Sequence, residues 1–168
     1  MRTRKPTPPE VDGAGDADRA YARAVRLLAV RARSVAEVRK RLRSAGCDHE
    51  PIEAALTRLG EDGYLDDAAF AARWVEWRTG SKPKSRSAIR RELLALGVPK
   101  ECVDAALSAI DDEVERENAA RLALARARQI GDLPVEKKRQ RLSTYLRARG
   151  YGWDLVRVVL TDILGDDG

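Results

Sequence analysis

The sequence predicts an all-α protein of three tandem three-helix repeats that form an elongated, curved array. The first observation behind this prediction is a recurring spacing, since Gly46, Gly97 and Gly150 lie 51 and 53 residues apart. The second is composition, because Ala, Leu, Arg and Glu, all good helix formers, dominate the chain. The third is that no stretch alternates apolar and β-branched residues with polar ones as a half-buried strand does.

Each of the three glycines stands in the same frame of apolar residues. The shared positions lie 8 and 4 residues before the glycine and 6, 10 and 13 residues after it. In chain order they are occupied by Val38, Leu42, Ile52, Leu56 and Leu59; by Ile89, Leu93, Val103, Leu107 and Ile110; and by Leu142, Leu146, Val156, Leu160 and Ile163. Self-similarity at a fixed period is typical of a repeat protein. The alternative is a helix bundle in which these spacings are coincidental.

The first repeat is predicted to follow an N-terminal tail that is rich in Pro, Gly and charge and that we expect to be disordered. Its first helix begins near Asp18. Ser34 and Glu37 have the spacing of a capping box at the start of the second helix. Gly46 provides the positive φ angle that ends this helix, and Pro51 suits the first turn of the third. The predicted boundaries are 1–17 for the tail and 18–65, 66–112 and 113–168 for the repeats.

The second repeat opens with a turn in which Asp66 or Asp67 caps the fourth helix. Phe70, Trp74 and Trp77 fall on one face of this helix. We expect both tryptophans to pack in the core, and the alternative is that they stack on bases or contact a partner.

A breaker segment over 79–84 is predicted to act as a flexible joint before the fifth helix. Either Ser85 or Ser87 would cap that helix. Acidic residues at 111–113 favour the start of the seventh helix, because carboxylates stabilise the positive end of a helix dipole. The remaining helices are expected over 51–62, 87–96, 99–110, up to 130, 135–149 and 153–164.

Basic residues concentrate on the second helix of each predicted repeat, whereas acidic residues collect at the junctions. The chain has 32 Lys and Arg against 27 Asp and Glu, for a formal net charge of +5. Stacked repeats present equivalent helices on one side, so the pattern predicts a basic face for a polyanion or an acidic protein surface. A charged helix face is often only solvated, and this alternative stays open. The predicted contact residues are Arg39, Lys40, Arg43, Lys82, Lys84, Arg86, Arg90, Arg91, Lys137, Lys138, Arg141 and Arg147.

No stretch has the pattern of a catalytic, cofactor or metal site. The chain lacks GxxxxGK followed by Ser or Thr, GxGxxG, GxSxG and HExxH. His49 is the single histidine, and with Cys47 it does not make a sufficient metal-ligand set. Cys47 and Cys102 form no CxxC motif. We therefore expect a non-enzyme with no catalytic residue, no cofactor and no metal.

Neither a membrane span nor a secretory leader is predicted. No stretch approaches 18 apolar residues, and the N-terminal residues lack the apolar core of a signal peptide. We expect a cytoplasmic monomer without membrane contact.

Two stretches resemble the RecX family of bacterial recombination regulators. LGEDGYLDDAAFAARWVEWR, residues 59–78, is similar to that family's middle signature of Gly, an apolar residue, two Asp and an aromatic–Ala pair. RLLAVRARSVAEVRKRLRSAG, residues 26–46, is similar to its first repeat. The resemblance spans about 18–164, and the third repeat departs from it with Arg149 where Ala45 and Leu96 stand in the others.

The resemblance implies three tandem three-helix repeats and a role as a regulatory protein in homologous recombination, DNA repair and the SOS response. Proteins of this family bind the RecA recombinase filament on single-stranded DNA. They modulate it, mostly by inhibiting its recombinase, ATPase and coprotease activities. The partners implied here are the filament and single-stranded DNA, with double-stranded DNA as a further candidate. The alternatives are a stand-alone helical DNA-binding protein and a purely protein-binding scaffold.

Overall fold

The computed structural model describes residues 15–81 and 83–165. Within these residues all regular secondary structure is α-helical. The prediction of an all-α fold is therefore confirmed. Six leucines at repeated positions, 42, 56, 93, 107, 146 and 160, are all buried, as the apolar frame requires. The helices are α1 (Asp16–Val30), α2 (Val35–Ser44), α3 (His49–Glu61), α4 (Asp67–Gly80), α5 (Arg86–Ala95), α6 (Lys100–Leu107), α7 (Asp112–Ile130), α8 (Val135–Arg147) and α9 (Trp153–Leu164).

Several helix ends differ from the predicted ones by one to three residues. α1 begins at Asp16, so Asp16 and Ala17 are helical rather than part of the tail, while residues 1–14 lie outside the described residues. α3 begins at His49 because the extended Asp48 precedes it, which leaves Pro51 in the first turn. α8 ends at Arg147 rather than Arg149, and α6 is shorter at both ends than 99–110.

The chain divides into two compact units, Met1–Ala71 with Leu94–Val103, and Ala72–Leu93 with Asp104–Gly168. In the first unit α1 packs chiefly on α3, and α2 completes the three-helix arrangement. Its core includes Val38, Leu42 and Leu59. These residues occupy apolar positions of the first repeat, so the periodic pattern selects the buried face of each helix.

The second unit buries its core between α7, α8 and α9, which all pack on one another. Leu142, Leu146 and Val156, again from the repeated frame, lie at its centre together with the ring of Tyr151. Burial raises the pKa of the Tyr151 hydroxyl to about 12, since the phenolate form would lose its hydration.

The N-terminal turn of α2 binds a later part of the first unit. Ser34 is fully buried, and its hydroxyl accepts a hydrogen bond from the Glu37 amide at 3.1 Å, which completes the predicted capping box. The same hydroxyl donates to the carbonyl of Leu96 at 2.5 Å. The next amide, that of Val35, donates to the Asp67 carboxylate at 3.0 Å. The start of α2, in the first predicted repeat, is therefore hydrogen-bonded to two residues of the second predicted repeat.

The N-terminal turn of α5 makes an equivalent set of contacts within the second unit, except that the serine amide rather than its hydroxyl donates to the carbonyl before the glycine. The Ser85 hydroxyl accepts from the Ala88 amide at 3.1 Å, so Ser85 rather than Ser87 is the cap. The Ser85 amide donates to the carbonyl of Arg149 at 3.1 Å. The amide of Arg86 donates to the Glu115 carboxylate at 2.8 Å. We call this arrangement the repeat joint: a capping serine, the carbonyl before the next repeat's glycine, and a carboxylate from the next repeat's first helix.

A glycine completes each repeat joint. Gly97 and Gly150 have φ angles of +74° and +90°, in the left-handed region. A Cβ on Gly97 would lie 2.4 Å from the Cβ of Ala36, and one on Gly150 would lie 2.7 Å from the Cβ of Ala88. Both glycines are therefore required by the backbone angle and by the close approach of the preceding repeat's second helix.

Candidate interaction surface

The predicted contact cations fall into two groups, and Lys82 lies outside the described residues. Five are tied to carboxylates of the same chain, namely Arg39, Lys84, Arg86, Arg90 and Lys138. Six are exposed and have no ion-pair partner within 15–81 and 83–165, namely Lys40, Arg43, Arg91, Lys137, Arg141 and Arg147. The second group is the part of the predicted set that a partner could reach without breaking an existing ion pair.

In each of the first two repeats, an ion pair at equivalent positions joins the second helix to the third helix of the same repeat. Arg39, seven residues before Gly46, binds both oxygens of Glu53, seven residues after it, at 2.7 and 3.0 Å. The hydrogen bond from Arg39 lowers the pKa of Glu53. Arg90 binds Asp104 at the same two positions around Gly97. Arg39 and Arg90 therefore stabilise their own repeats rather than presenting free charge.

Arg86 is also committed to its own unit. Its guanidinium donates to the carbonyl of Ile110 and to the Asp112 carboxylate, both at 2.9 Å. Because its backbone amide also bonds Glu115, this arginine fixes the start of α5 against the start of α7. We interpret Arg86 as a structural residue of the repeat joint.

The Glu92 carboxylate binds three donors, two from α4 and one from the segment before α5. Trp74 Nε1 and Arg78 Nε donate to it at 3.0 and 2.7 Å, and Lys84 Nζ is a third partner. Burial alone raises the pKa of Glu92, but Lys84, Trp74 and Arg78 outweigh it and hold that pKa below its ordinary value. The cluster binds both ends of the 79–84 segment that was predicted to be a flexible joint.

The two tryptophans of α4 have different environments. Trp74 is half-buried, and its ring nitrogen donates to Glu92 at 3.0 Å. Trp77 is 38% exposed, with the Arg78 guanidinium 4.2 Å from its ring centroid, so the prediction of core packing is wrong for Trp77. Trp77 shares a helix face with the buried Phe70, but it lies at the edge of that face, where the helix meets the surface.

Exposed cations lie beside the glycine of each repeat joint. Lys40 lines a groove together with Gly97, the glycine of the following repeat. The Arg91 guanidinium lies within 3.4 Å of the point where a Cβ on Gly150 would stand. Lys40 and Arg91 each occur six residues before the glycine of their own repeat. The fold therefore places a cation without an ion-pair partner at the same point of two described joints.

α8 carries a third set of exposed cations, and an exposed tryptophan begins α9. Lys137, Arg141 and Arg147 are all exposed, whereas Lys138 Nζ lies 3.4 Å from Asp132. The Arg147 guanidinium lies 5.9 Å from the ring centroid of Trp153, and that tryptophan is 59% exposed. An exposed aromatic ring beside free cations is a feature that nucleic-acid surfaces use.

Neither a metal-ligand cluster nor a membrane-spanning helix occurs in the described part of the chain. Within it, no group of three or more His, Cys, Asp or Glu side chains could hold a metal ion. None of its helices is both long enough and apolar enough to cross a bilayer.

Three family models match successive parts of this chain. The first three-helix domain of RecX matches residues 20–59, the second matches 66–107 and the third matches 113–160. The chain belongs to the RecX family. The three-repeat prediction and the resemblance of the sequence to RecX are therefore both confirmed. RecX relatives carry the name of regulatory proteins, and this chain is a regulatory protein of that family.

Relatives from several bacteria align over most of the chain. "Regulatory protein RecX" of Amycolatopsis mediterranei is 35% identical over 142 residues, which are 84% of this chain and 81% of that one. The Mycobacterium avium protein of the same name is 34% identical over 162 residues, 95% of this chain and 93% of its own. The Chlorobaculum tepidum protein is 34% identical over 146 residues, 86% and 88% of the two chains.

Two solved RecX structures have the same fold. The crystal structure of RecX from Lactobacillus salivarius superposes with a TM-score of 0.75 at 20% identity, covering 88% of this chain and 96% of that one. A second crystal structure, of regulatory protein RecX, gives a TM-score of 0.70 at 26% identity over 86% of this chain and 71% of its own.

Sequence reasoning missed the ion-paired columns and three exposed residues, Arg41, Trp153 and Arg157. A signal for the ion pairs was present, since the positions seven before and seven after the first two glycines carry Arg and an acid. This signal lies in charged columns, whereas the repeats were aligned by their apolar columns. Arg41 lines the same groove as Lys40 and Gly97, which no periodic pattern indicates.

Proposed function

We propose that this protein binds the RecA recombinase filament on single-stranded DNA and modulates it, mostly by inhibiting its recombinase, ATPase and coprotease activities. It acts as a cytoplasmic monomer in homologous recombination, DNA repair and the SOS response. The RecX family membership supports the regulatory part of this proposal. The charge distribution supports the part that concerns the partner.

The observation that carries the proposal is the repeated placement of cations without ion-pair partners at the repeat joints. Lys40 and Arg91 are both exposed, both six residues before their glycine and both next to the following repeat's glycine. A filament repeats its own phosphates and acidic side chains at regular intervals. Cations at equivalent positions of successive repeats can engage such a polyanion at several points, each contributing electrostatic affinity that falls with salt.

The test compares the parent protein with the double variant Lys40→Glu/Arg91→Glu. Binding is measured to recombinase filaments on single-stranded DNA, to the DNA alone and to the recombinase alone, with ATP turnover of the filament as the functional readout. The matched control is Arg26→Glu/Arg73→Glu, which reverses two exposed arginines on first helices. Each double variant lowers the formal net charge by four, from +5 to +1.

We expect the parent to bind filaments more tightly than either component, and the Lys40/Arg91 variant alone to lose binding and inhibition together. Equal losses in the two double variants would mean that net charge acts non-specifically, which contradicts the proposed surface. Tight binding of the parent to naked DNA with no preference for filaments would indicate the alternative, a stand-alone DNA-binding protein. Unchanged binding of the Lys40/Arg91 variant would show that the basic second helices only face solvent and do not contact the filament.

A further inference from the structure

The third repeat departs from the ion-pair pattern of the first two. At the positions seven before and seven after the glycine, the first two repeats pair Arg39 with Glu53 and Arg90 with Asp104. The third repeat has Ser143 and Arg157 there. The cation of α8 is absent at this position, and the acid of α9 is replaced by an arginine. The flank between these two helices therefore carries positive charge that no carboxylate at the paired position neutralises.

Trp153 lies on this flank. It precedes Arg157 by one helical turn, so the two side chains share a face of α9. Arg147 approaches the same ring from α8, with 5.9 Å between its guanidinium carbon and the ring centroid. With 59% of its surface exposed, Trp153 is more accessible than Trp77, and Arg157 is exposed as well. Asp154 is the acidic residue adjacent to the ring in sequence.

We propose that Arg147, Trp153 and Arg157 form a binding site for single-stranded nucleic acid, with the two arginines on phosphates and the indole ring stacked on a base. Core packing does not explain an indole that is mostly in water, and helix capping does not require a large ring at the first residue of α9. Positively charged surfaces with exposed aromatic rings bind single strands without sequence preference, because every base has a π face.

This inference rests on the proposed function, since it assigns the nucleic acid of the filament to one flank of the third repeat. It commits the site to single-stranded rather than double-stranded DNA, because a stacked base must be accessible. An indole that stacks on a base loses fluorescence, which gives a direct measurement.

The experiment titrates the full-length protein with oligo(dT), following tryptophan fluorescence and, separately, anisotropy of a labelled oligonucleotide. We expect quenching in the parent that is mostly lost in Trp153→Phe, and an affinity that falls about 5- to 150-fold in Trp153→Ala, the range for one stacked base. Arg157→Glu, which restores the acid of the other repeats, should lower the salt dependence by about 0.7 in slope for the phosphate contact removed. Arg73→Glu is the charge-matched control, and circular dichroism checks the fold.

Three outcomes overturn the inference. One is oligo(dT) affinity and quenching that are the same in the parent and in Trp153→Ala. Another is weaker filament binding by Trp153→Ala with unchanged affinity for oligo(dT), which would assign the flank to the recombinase protein. The last is an equal loss of oligo(dT) affinity in Arg73→Glu and Arg157→Glu. Failure of the proposed function looks different, since the parent would then not affect the filament's ATP turnover while its oligo(dT) quenching could persist.

Discussion

The glycine that ends the second helix has a positive φ angle in every repeat, but its surroundings differ between repeats. Gly46, at +81°, has open space around the point where a Cβ would stand, with no atom of the described residues beyond its chain neighbours within 4 Å. Gly97, at +74°, lies against Ala36 of the preceding repeat. The backbone angle is thus a local requirement that all repeats share, whereas the lack of a side chain is also a packing requirement where a repeat joint exists.

Alanine at Gly97 should destabilise the protein more than alanine at Gly46. Both substitutions place a Cβ in the left-handed region, at about 1–2 kcal/mol. Gly97→Ala also brings a methyl group to 2.4 Å from the Cβ of Ala36, which forces the two helices apart. Urea unfolding followed by circular dichroism gives both free energies. The double variant Gly97→Ala/Ala36→Gly should recover part of the excess. Equal losses for Gly46→Ala and Gly97→Ala would show that the close approach contributes nothing.

At the scale of the helices, burial was predictable and docking was not. Apolar periodicity encodes which face of a helix leaves water, so Leu42, Leu93 and Leu146 were assigned to the core from their spacing alone. The capping box at Ser34 was also readable, because it depends on residues three apart. Its second hydrogen bond, to the carbonyl of Leu96, joins residues 62 apart in sequence and leaves no local pattern.

The candidate surface was only partly predictable for the same physical reason. A count of charges finds basic helices, but it does not separate a free cation such as Lys40 from Arg39, whose partner Glu53 is on the next helix. Exposure of Trp77 depended on where the edge of the apolar face meets the surface, which the wheel of a single helix does not give.

Removing the carboxylate of Glu92 should loosen the link between α4 and α5. Glu92→Ala leaves Trp74, Arg78 and Lys84 without their shared acceptor, and we expect a loss of about 1–3 kcal/mol in unfolding free energy. The partners lower the pKa of Glu92, so its ionised form stabilises the folded state. That contribution is complete above the ordinary pKa of 4.5 and is lost as the pH falls through the lowered value.

The measurement is urea unfolding of the parent and Glu92→Gln between pH 7 and the acid range. The glutamine variant should be less stable than the parent at neutral pH, and the difference should shrink as the solution becomes acidic. A matched control is Glu76→Gln, an exposed carboxylate on α4. A difference between parent and Glu92→Gln that stays constant down to acid pH would mean that the charge of Glu92 does not contribute.

At the scale of the whole molecule, the third repeat differs from the first two at the position of the capping serine. In the first two repeats, the residue 12 positions before the glycine is the serine that caps the second helix, Ser34 or Ser85. In the third repeat the equivalent residue is Lys138, followed two residues later by Gln140. The third repeat therefore lacks the capping serine that the two repeat joints share.

The spread of free cations over the repeats also predicts how binding to the proposed filament partner responds to substitution. Lys40→Glu and Arg91→Glu each remove one exposed contact, so each alone should weaken filament binding by only about 1.5- to 5-fold. The double variant should weaken it by at least the product of the two, because the contacts belong to one protein that binds at several points. Helix content should not change, since both side chains are exposed and have no ion-pair partner among the described residues. Filament affinity across a salt series, with inhibition of ATP turnover measured in parallel, gives all of these values. Complete loss of binding in either single variant would identify one dominant anchor and would rule out a contact distributed over the repeats.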